Sequence, residues 1–130
     1  RERGPARVAA LLTHWVHHSL QRTTPASGTA PSAVTVLENK SGDCNEFVTL
    51  FVALARSAGL PARTVSGLLY LRGKFYYHTW VEIYLNDWVA LDPTFDQYPA
   101  DAAHLRIAVG GLARQVELIP RIGRLKLEVL

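Results

Sequence analysis

Cysteine and methionine are nearly absent from this sequence, which contains one cysteine, Cys44, and no methionine. A single cysteine excludes an internal disulfide framework and a cysteine-rich zinc site, because both need several thiols. Three roles remain for Cys44: a buried apolar thiol, a reactive thiol or one half of an intermolecular disulfide. Long apolar runs are absent too, and none approaches the roughly 20 residues of a membrane-spanning helix. The sequence therefore predicts no membrane span.

Charge of one sign is not concentrated anywhere along the chain. The net charge is +3, and the arginines are scattered without forming a run or a helical stripe. A mildly basic surface is expected, and nucleic acid is not expected as a partner. With 48% hydrophobic and 19% charged residues, residues 1–130 have the composition of one globular domain. Because the chain opens Arg1-Glu2-Arg3 without a signal-like stretch, we expect this domain to be a piece of a longer protein.

Helical patterns dominate the first part of the chain. From Arg7 to Leu20 the apolar residues recur at positions i, i+3, i+4 and i+7, the stripe of an amphipathic helix. The stretch from Thr23 to Ser32 is rich in proline, glycine, serine and threonine, and it predicts an exposed loop. A short helix is expected from Ala33 to Leu37, with Ser32 as its cap.

The helix that follows carries Cys44 and has the clearest boundaries in the sequence. Asp43 is its predicted N-cap, Glu46 completes a capping box, and the run from Gly59 to Pro61 predicts its end. Cys44 then lies in the first turn, where unpaired N–H groups and the helix dipole favour a thiolate. We therefore expect a pKa below the usual value of about 8.5. The alternative is a structural cysteine on the apolar face of the helix.

The second half of the chain has patterns typical of strands. Two runs, Ala62 to Leu71 and Lys74 to Leu85, flank a short Arg-Gly turn, and a third runs from Trp88 to Thr94. The tail from Gln115 to Leu130 predicts two more short strands. Helices followed by an antiparallel sheet indicate an α+β fold.

The turn before the third strand decides which side chains meet on the sheet. If it takes three residues, Leu85 to Asp87, then Tyr84 lies opposite Trp88, and Asp92 emerges on the same face as His78. A two-residue turn would move Asp92 to the opposite face. A contact between His78 and Asp92 therefore depends on this register.

Cys44, His78 and Asp92 together have the residue types of a cysteine-based catalytic triad. A histidine within reach takes the thiol proton and later returns a proton to the leaving amine. An aspartate holds the imidazole in the useful tautomer and stabilises its cation. Taken singly, His78 is better explained as an edge-of-sheet histidine and Asp92 as the start of an Asp-Pro turn. The coincidence of all three favours the triad.

Four motifs stand in order along the chain. They are Gly42-Asp43-Cys44-Asn45-Glu46, the stretch from Ala53 to Arg63, His78-Thr79-Trp80-Val81-Glu82, and Leu91-Asp92-Pro93-Thr94. Together they resemble the bacterial transglutaminase-like core domain of the papain-like superfamily. The match runs from Val34 to Thr94, and the segment from Gln97 to Asp101 also resembles bacterial members.

The resemblance implies a papain-like fold, in which the helix bearing Cys44 packs on a sheet bearing His78 and Asp92. It also implies the chemistry: the cysteine attacks the carbonyl of a protein or peptide amide and forms a thioester, which water or an amine then resolves. The triad of the family falls on Cys44, His78 and Asp92. No cofactor is implied.

Two functions of different classes fit this pattern. The first is an enzyme, either a protease or amidase or a cross-linking transglutaminase, and for bacterial members the resemblance favours hydrolysis. The second is a non-catalytic module that keeps the fold and binds peptide. The presence of all three triad residues favours the enzyme. The resemblance is compatible with a periplasmic or envelope-associated location within a longer protein, and the oligomeric state is not indicated.

Two aromatic residues beside the histidine, Trp80 and Tyr77, are predicted to line the substrate cleft. The backbone N–H of Cys44 is the natural first donor to an oxyanion. Upstream, Glu38 cannot donate when it is ionised and Asn39 can. No second donor is assigned from the sequence.

Three histidines near the first helix invite a metal site. His14 and His18 stand at i and i+4, with His17 between them, but no acidic or cysteine ligand accompanies them and the HExxH pattern is absent. The chain also lacks a dense acidic loop for calcium. We therefore expect no metal and no cofactor.

Overall fold

The first half of the chain is helical, as its apolar periodicity predicts. The structure, a computed structural model, describes residues 4–23 and 32–110, together with the backbone of residues 128–129. The elements of this half are α1 (Pro5–Ser19), β1 (Gln21–Arg22), α2 (Ala33–Asn39), β2 (Ser41–Gly42) and α3 (Cys44–Ser57). The predicted cap of α2 is confirmed, because the Ser32 hydroxyl accepts a hydrogen bond from the Thr35 backbone N–H at 3.1 Å. Within the described residues, no helix is both long and apolar enough to cross a membrane.

A mainly antiparallel sheet forms the second half. Its strands are β3 (Ala62–Leu71), β4 (Lys74–Tyr84), β5 (Trp88–Leu91), β6 (His104–Val109) and β7 (Glu128–Val129). The order across the sheet is β5-β4-β3-β6, and β7 pairs with β4 in parallel. The predicted α+β fold is confirmed, whereas β6 was not predicted. Apart from β7, the strands predicted between residues 115 and 130 lie outside the described residues.

The helix α3 begins and ends as its sequence signals predict. The Asp43 side chain accepts from the Asn45 N–H at 2.9 Å, and the Glu46 side chain accepts from the Asp43 N–H at 2.6 Å, which completes the capping box. A side chain at Gly42 would collide with the side chain of Glu46, so the box requires glycine there. Gly59 takes the left-handed conformation (φ 87°) that ends the helix.

A hydrophobic core joins α3 to the sheet and to the other two helices. Phe47, Phe51, Val81 and Ile83 are essentially inaccessible to solvent. A fully buried side chain of this size stabilises the fold by about 1.5–3 kcal/mol. This packing holds the first turn of α3, and with it Cys44, against the sheet.

Two arginines fasten the elements around this core. The Arg56 guanidinium on α3 donates two hydrogen bonds to the Ala62 carbonyl, at 3.1 and 2.9 Å, and so ties the helix to the start of β3. Arg63 pairs with Glu82 across β3 and β4 at 2.7 Å, and its guanidinium lies 3.8 Å above the Trp88 ring. The orientation of the helix on the sheet is therefore supported by polar contacts as well as by burial.

The segment between β5 and β6 crosses from one edge of the sheet to the other. It begins with a tight pairing of Asp92 and Gln97, whose backbone groups exchange hydrogen bonds of 2.8 and 2.9 Å. On the far side, β6 approaches β3 so closely that a Cβ at Gly67 would collide with the Leu105 carbonyl oxygen. Gly67 therefore permits the position of β6 and of His104 at its start.

Candidate active site

The register of β4 and β5 brings His78 and Asp92 together. Tyr84 pairs with Trp88, which is the register that a three-residue turn predicts, and Asp92 follows directly after β5. The His78 Nε2 lies 2.7 Å from the Asp92 Oδ2, and both side chains are fully buried. The predicted contact between these two residues is confirmed. Because Asp92 accepts the hydrogen bond, Nε2 carries the ring proton, and Nδ1 is the basic nitrogen of the neutral imidazole.

Cys44 is the first residue of α3 and lies beside the strand that carries His78. The backbone N–H of Thr79, the residue after His78, donates a hydrogen bond to the Cys44 thiol. The His78 Nδ1 is buried and has no hydrogen-bond partner among the described residues. The helix and the strand thus place a thiol and an unprotonated ring nitrogen in the same buried region.

The surroundings of the Cys44 thiol disfavour its ionisation. Burial raises its pKa to about 12, and the nearby carboxylates of Asp43 and Asp92 raise it further, whereas the Thr79 N–H and the Arg22 cation lower it. The expectation of a lowered pKa is therefore wrong for this structure. The physical reason is that complete removal from water disfavours a thiolate more than the start of one helix favours it.

Asp92 is an ionised carboxylate at the centre of the buried polar network. Burial by itself raises its pKa, but the charges and hydrogen bonds of His78 and His104 outweigh burial and hold the pKa well below its usual range. The Thr94 backbone N–H also donates to Asp92, at 3.0 Å. With several donors around it, Asp92 remains negative over the pH range in which histidine titrates.

His104 is a member of this network that the sequence analysis missed. Its Nε2 lies 2.7 Å from the Asp92 Oδ2, and its Nδ1 lies 2.9 Å from the Asp101 Oδ1. Burial lowers the pKa of His104, but these two carboxylates outweigh it and raise the pKa above its ordinary value. A signal was available, because residues 104–109 alternate between polar or small and large apolar side chains.

Trp80 and Tyr77 both lie within the protein. The Trp80 ring stacks on His78 with centroids 5.9 Å apart and meets His104 edge-on at 4.9 Å, and only 1% of its surface is exposed. Tyr77 is 5% exposed. Trp80 therefore supports both histidines, and the role of these two aromatics toward substrate stays a prediction.

Phe95 and Arg22 form one side of the site, and the sequence analysis named neither. The Phe95 ring lies 5.4 Å from His78, and the Arg22 guanidinium lies 4.9 Å from the centre of the Phe95 ring. Phe95 also borders a cavity of about 60 Å³ that reaches Leu69 and Tyr70. This small space is adjacent to the site.

The two residues considered as a second oxyanion donor lie elsewhere on the surface. Glu38 and Asn39 end α2, and both are exposed, whereas Cys44 is fully buried. Cys44 itself occupies the first position of α3, at the positive end of the helix dipole. Its own amide therefore remains the candidate donor.

Among the residues that the structure describes, two groups have ligand atoms within 4.8 Å of one another, close enough to hold a metal ion: His78, Asp92 and His104, and His14, His18 and Asp96. In the buried group, each imidazole already shares a proton with the Asp92 carboxylate. A metal there would have to displace both protons, so hydrogen bonding accounts for this arrangement. In the other group, the side chains of His14 and His18 are accessible to solvent.

The sequence of this domain matches a known family over most of its length. Residues 1–93 match the family model of the transglutaminase-like superfamily. The chain belongs to this superfamily. It is 31% identical over 108 residues to the protein-glutamine gamma-glutamyltransferase of Pseudomonas aeruginosa, covering 72% of this chain and 16% of that protein. It is 28% identical over 100 residues to the protein ML0607 of Mycobacterium leprae, covering 71% of this chain and 36% of that protein.

Solved structures share the fold of this transglutaminase-like domain. A candidate cysteine protease from Cytophaga hutchinsonii superimposes with a TM-score of 0.72 at 22% identity, over 85% of this chain and 37% of that one. The periplasmic domain of TgpA from Pseudomonas aeruginosa gives a TM-score of 0.57 at 27% identity, over 72% and 38%. The chain thus spans less than half of these relatives, and the fold implied by the motifs is confirmed.

Proposed function

We propose that this domain cleaves or transfers the acyl group of protein or peptide amides, with Cys44 as nucleophile, His78 as base and Asp92 as the residue that orients the histidine. The observation that carries the proposal is the pairing of His78 Nε2 with Asp92 at 2.7 Å. This pairing leaves Nδ1 as the proton acceptor, in the buried region that also holds the Cys44 thiol. Membership of the transglutaminase-like superfamily supports cysteine-based acyl transfer or hydrolysis.

The proposed reaction has two halves. In the first, the sulfur of Cys44 attacks the amide carbon while Nδ1 of His78 takes the thiol proton, and the tetrahedral intermediate expels the amine, which leaves with that proton. In the second, water or an amine attacks the thioester and gives a proton to His78, which passes that proton to the departing sulfur and so restores the Cys44 thiol. Asp92 stays ionised throughout and stabilises the imidazolium.

The resting state of this proposed enzyme has a protonated Cys44 thiol. Since burial raises the pKa of Cys44 to about 12, the thiolate forms only when the proton moves to His78. A substrate carbonyl against the Cys44 N–H would favour that transfer, because the developing negative charge passes on to the oxygen. In this proposal, the Cys44 thiolate therefore forms only after the substrate has entered the site.

Hydrolysis is the outcome proposed for the thioester, and a periplasmic or envelope location is proposed for the protein. One relative is named a glutamyltransferase and one structural neighbour a candidate cysteine protease. The names of similar proteins therefore include both acyl transfer to an amine and hydrolysis. The periplasmic domain of TgpA supports the location.

Mass spectrometry of a glutamine-containing peptide library separates the possible outcomes. The domain is incubated with the library, with and without a primary amine, beside a Cys44→Ala control. Cleaved peptides, a deamidation mass shift and an amine adduct report proteolysis, deamidation and cross-linking respectively. Turnover that is equal in Cys44→Ala would contradict the proposal.

A non-catalytic peptide-binding module is the second candidate, and the complete burial of Cys44 favours it. Iodoacetamide labelling distinguishes the two. An enzyme should show labelling of Cys44 that slows when His78 is replaced by alanine. Labelling of Cys44 that His78→Ala leaves unchanged would favour the binding module.

A further inference from the structure

An exposed cluster on α1 joins two histidines to an aspartate from the segment after β5. His14 and His18 lie one helical turn apart with ring centroids separated by 4.2 Å. The Asp96 Oδ2 lies 3.0 Å from the His14 Nδ1 and 3.7 Å from the His18 Nε2. These three side chains converge although 82 residues separate His14 from Asp96.

Asp96 supplies the acidic ligand that was missing from the sequence pattern. The sequence argument against a metal rested on the lack of a carboxylate near His14 and His18. The fold brings one to them from a position 82 residues after His14. The reason for excluding the site is therefore removed.

The distances in this cluster suit a tetrahedral metal ion. Zinc binds imidazole nitrogen and carboxylate oxygen at about 2.0–2.2 Å, so two ligand atoms at a tetrahedral angle lie about 3.3 Å apart. The observed separations of 3.0 and 3.7 Å bracket that value. Small side-chain movements would be enough to admit the ion, because 65% of the His14 side chain and 59% of the His18 side chain are exposed.

We propose that His14, His18 and Asp96 bind Zn²⁺ or a divalent transition metal with similar preferences, leaving one coordination position for water. Two imidazoles and one carboxylate are the ligands that zinc favours. Calcium and magnesium prefer sites built of oxygen, so they should not compete. This site is separate from the proposed catalytic residues and does not depend on the proposed function.

The metal would fasten α1 to the segment that follows Asp92. His17, on the same helix, already donates its Nδ1–H to the carbonyls of Pro93 and Thr94, at 3.2 and 3.0 Å. Phe95, beside Asp96, contacts His78. Binding should therefore raise the melting temperature, since a ligand that binds only the native state stabilises it.

Zinc titration of the whole chain tests the site, followed by calorimetry and by thermal unfolding. A Cys44→Ser background removes the thiol as a competing ligand. We expect one equivalent of Zn²⁺ to bind, raise the melting temperature and be removed by a chelator. Bound Co²⁺ should show the visible absorption of a four-coordinate ion, whereas Mg²⁺ and Ca²⁺ should have no effect.

Matched variants locate the binding. Asp96→Asn and His18→Ala should each weaken binding at least about tenfold. Asp87→Asn, in an exposed turn, should leave it unchanged. Circular dichroism verifies that each variant is folded.

Two results would overturn the proposal. One is unchanged zinc affinity in Asp96→Asn. The other is zinc binding that is lost in His104→Gln but retained in Asp96→Asn, because that would assign the ion to the buried cluster. Neither result would bear on the proposed acyl transfer, which the peptide assay tests.

Discussion

The described part of the chain contains two clusters with the same composition, two histidines and one aspartate, in opposite surroundings. In the buried cluster, His78 and His104 both lie 2.7 Å from one oxygen of Asp92. In the exposed cluster, the corresponding distances to Asp96 are 3.0 and 3.7 Å. Burial is the physical difference, because charges removed from water interact strongly and exposed charges are screened.

This difference supports the different tasks proposed for the two clusters. The buried aspartate holds two imidazoles in fixed orientations, which suits the positioning of a catalytic base. The exposed aspartate and histidines keep their hydration and lie at looser distances, which suits the admission of an ion from solution. The same residue types are thus a rigid network in one place and an accessible ligand set in the other.

The largest contrast is expected from removing the aspartate of each cluster. Asp92→Ala should lower the free energy of unfolding by about 3–5 kcal/mol, because it leaves two buried imidazoles without their carboxylate. Asp96→Ala should cost less than about 1 kcal/mol. Urea denaturation followed by tryptophan fluorescence measures both values.

If Asp92→Ala and Asp96→Ala lost the same free energy of unfolding, the proposed difference between the buried and the exposed cluster would be contradicted. If Asp92→Ala does not fold, Asp92→Asn retains the shape of the side chain and provides a second test. Its turnover should fall on the order of 10⁴-fold, because the amide no longer enforces the tautomer of His78.

His104→Ala is expected to have the next largest effect. It removes a hydrogen bond to a buried charge and should cost about 1.5–3 kcal/mol of folding free energy. Because the raised pKa of His104 favours its cationic form beside Asp92, removing this cation should make protonation of the site easier and move the acid limb of the kcat/KM profile to higher pH. Titration of activity between acid and neutral pH measures this shift.

A conservative variant separates positioning from packing at His104. His104→Gln keeps an N–H donor for Asp92 and should restore part of the lost activity. His14→Ala, in the exposed cluster, should leave the profile unchanged. If both His104 variants kept the wild-type acid limb, a role of His104 in positioning Asp92 would be refuted.

The alkylation of Cys44 should depend steeply on pH. Since burial raises the pKa of the thiol to about 12, the thiolate fraction rises about tenfold for each pH unit well below that value. Iodoacetamide rates measured from pH 7 to pH 9 should follow this rise. A plateau near neutral pH would instead indicate a thiolate paired with the His78 cation before substrate binds.

The smallest effect on stability is expected at Glu46, whose carboxyl is half-buried. Burial and the side chain of Asp43 raise the pKa of Glu46 to about 7, well above its ordinary value of 4.5. The folded state therefore binds a proton more tightly than the unfolded state, and stability should fall as the pH rises from about 4.5 to 7.

Glu46→Gln should flatten that dependence, because glutamine resembles the protonated acid and still accepts from the Asp43 N–H. Melting temperatures from pH 4 to pH 8 provide the measurement, with wild type and variant side by side. An unchanged slope in the variant would show that another group is responsible.

Local features of this protein were predictable because their causes lie within a few residues. The capping box of Asp43 and Glu46 specifies the start of α3, and a left-handed glycine specifies its end. The pairing of Tyr84 with Trp88, and so the meeting of His78 and Asp92, follows from one turn length and the alternation of a strand.

Contacts between elements far apart in the chain were not predicted from the sequence. β6 enters the sheet at the edge opposite β5, and the absence of a side chain at Gly67 permits its approach. His104 meets Asp92 only because of that path, and Asp96 meets α1 across the fold. No periodicity within one segment contains this information.

The order Cys44, His78, Asp92, the helix that carries the cysteine and the family were readable from the sequence alone, because short-range patterns encode them. The tertiary structure decided the complete burial of Cys44, the second histidine on Asp92 and the carboxylate beside His14 and His18. Each of these depends on burial or on contacts between residues far apart in the chain. Such properties exist only once the chain has packed and excluded water.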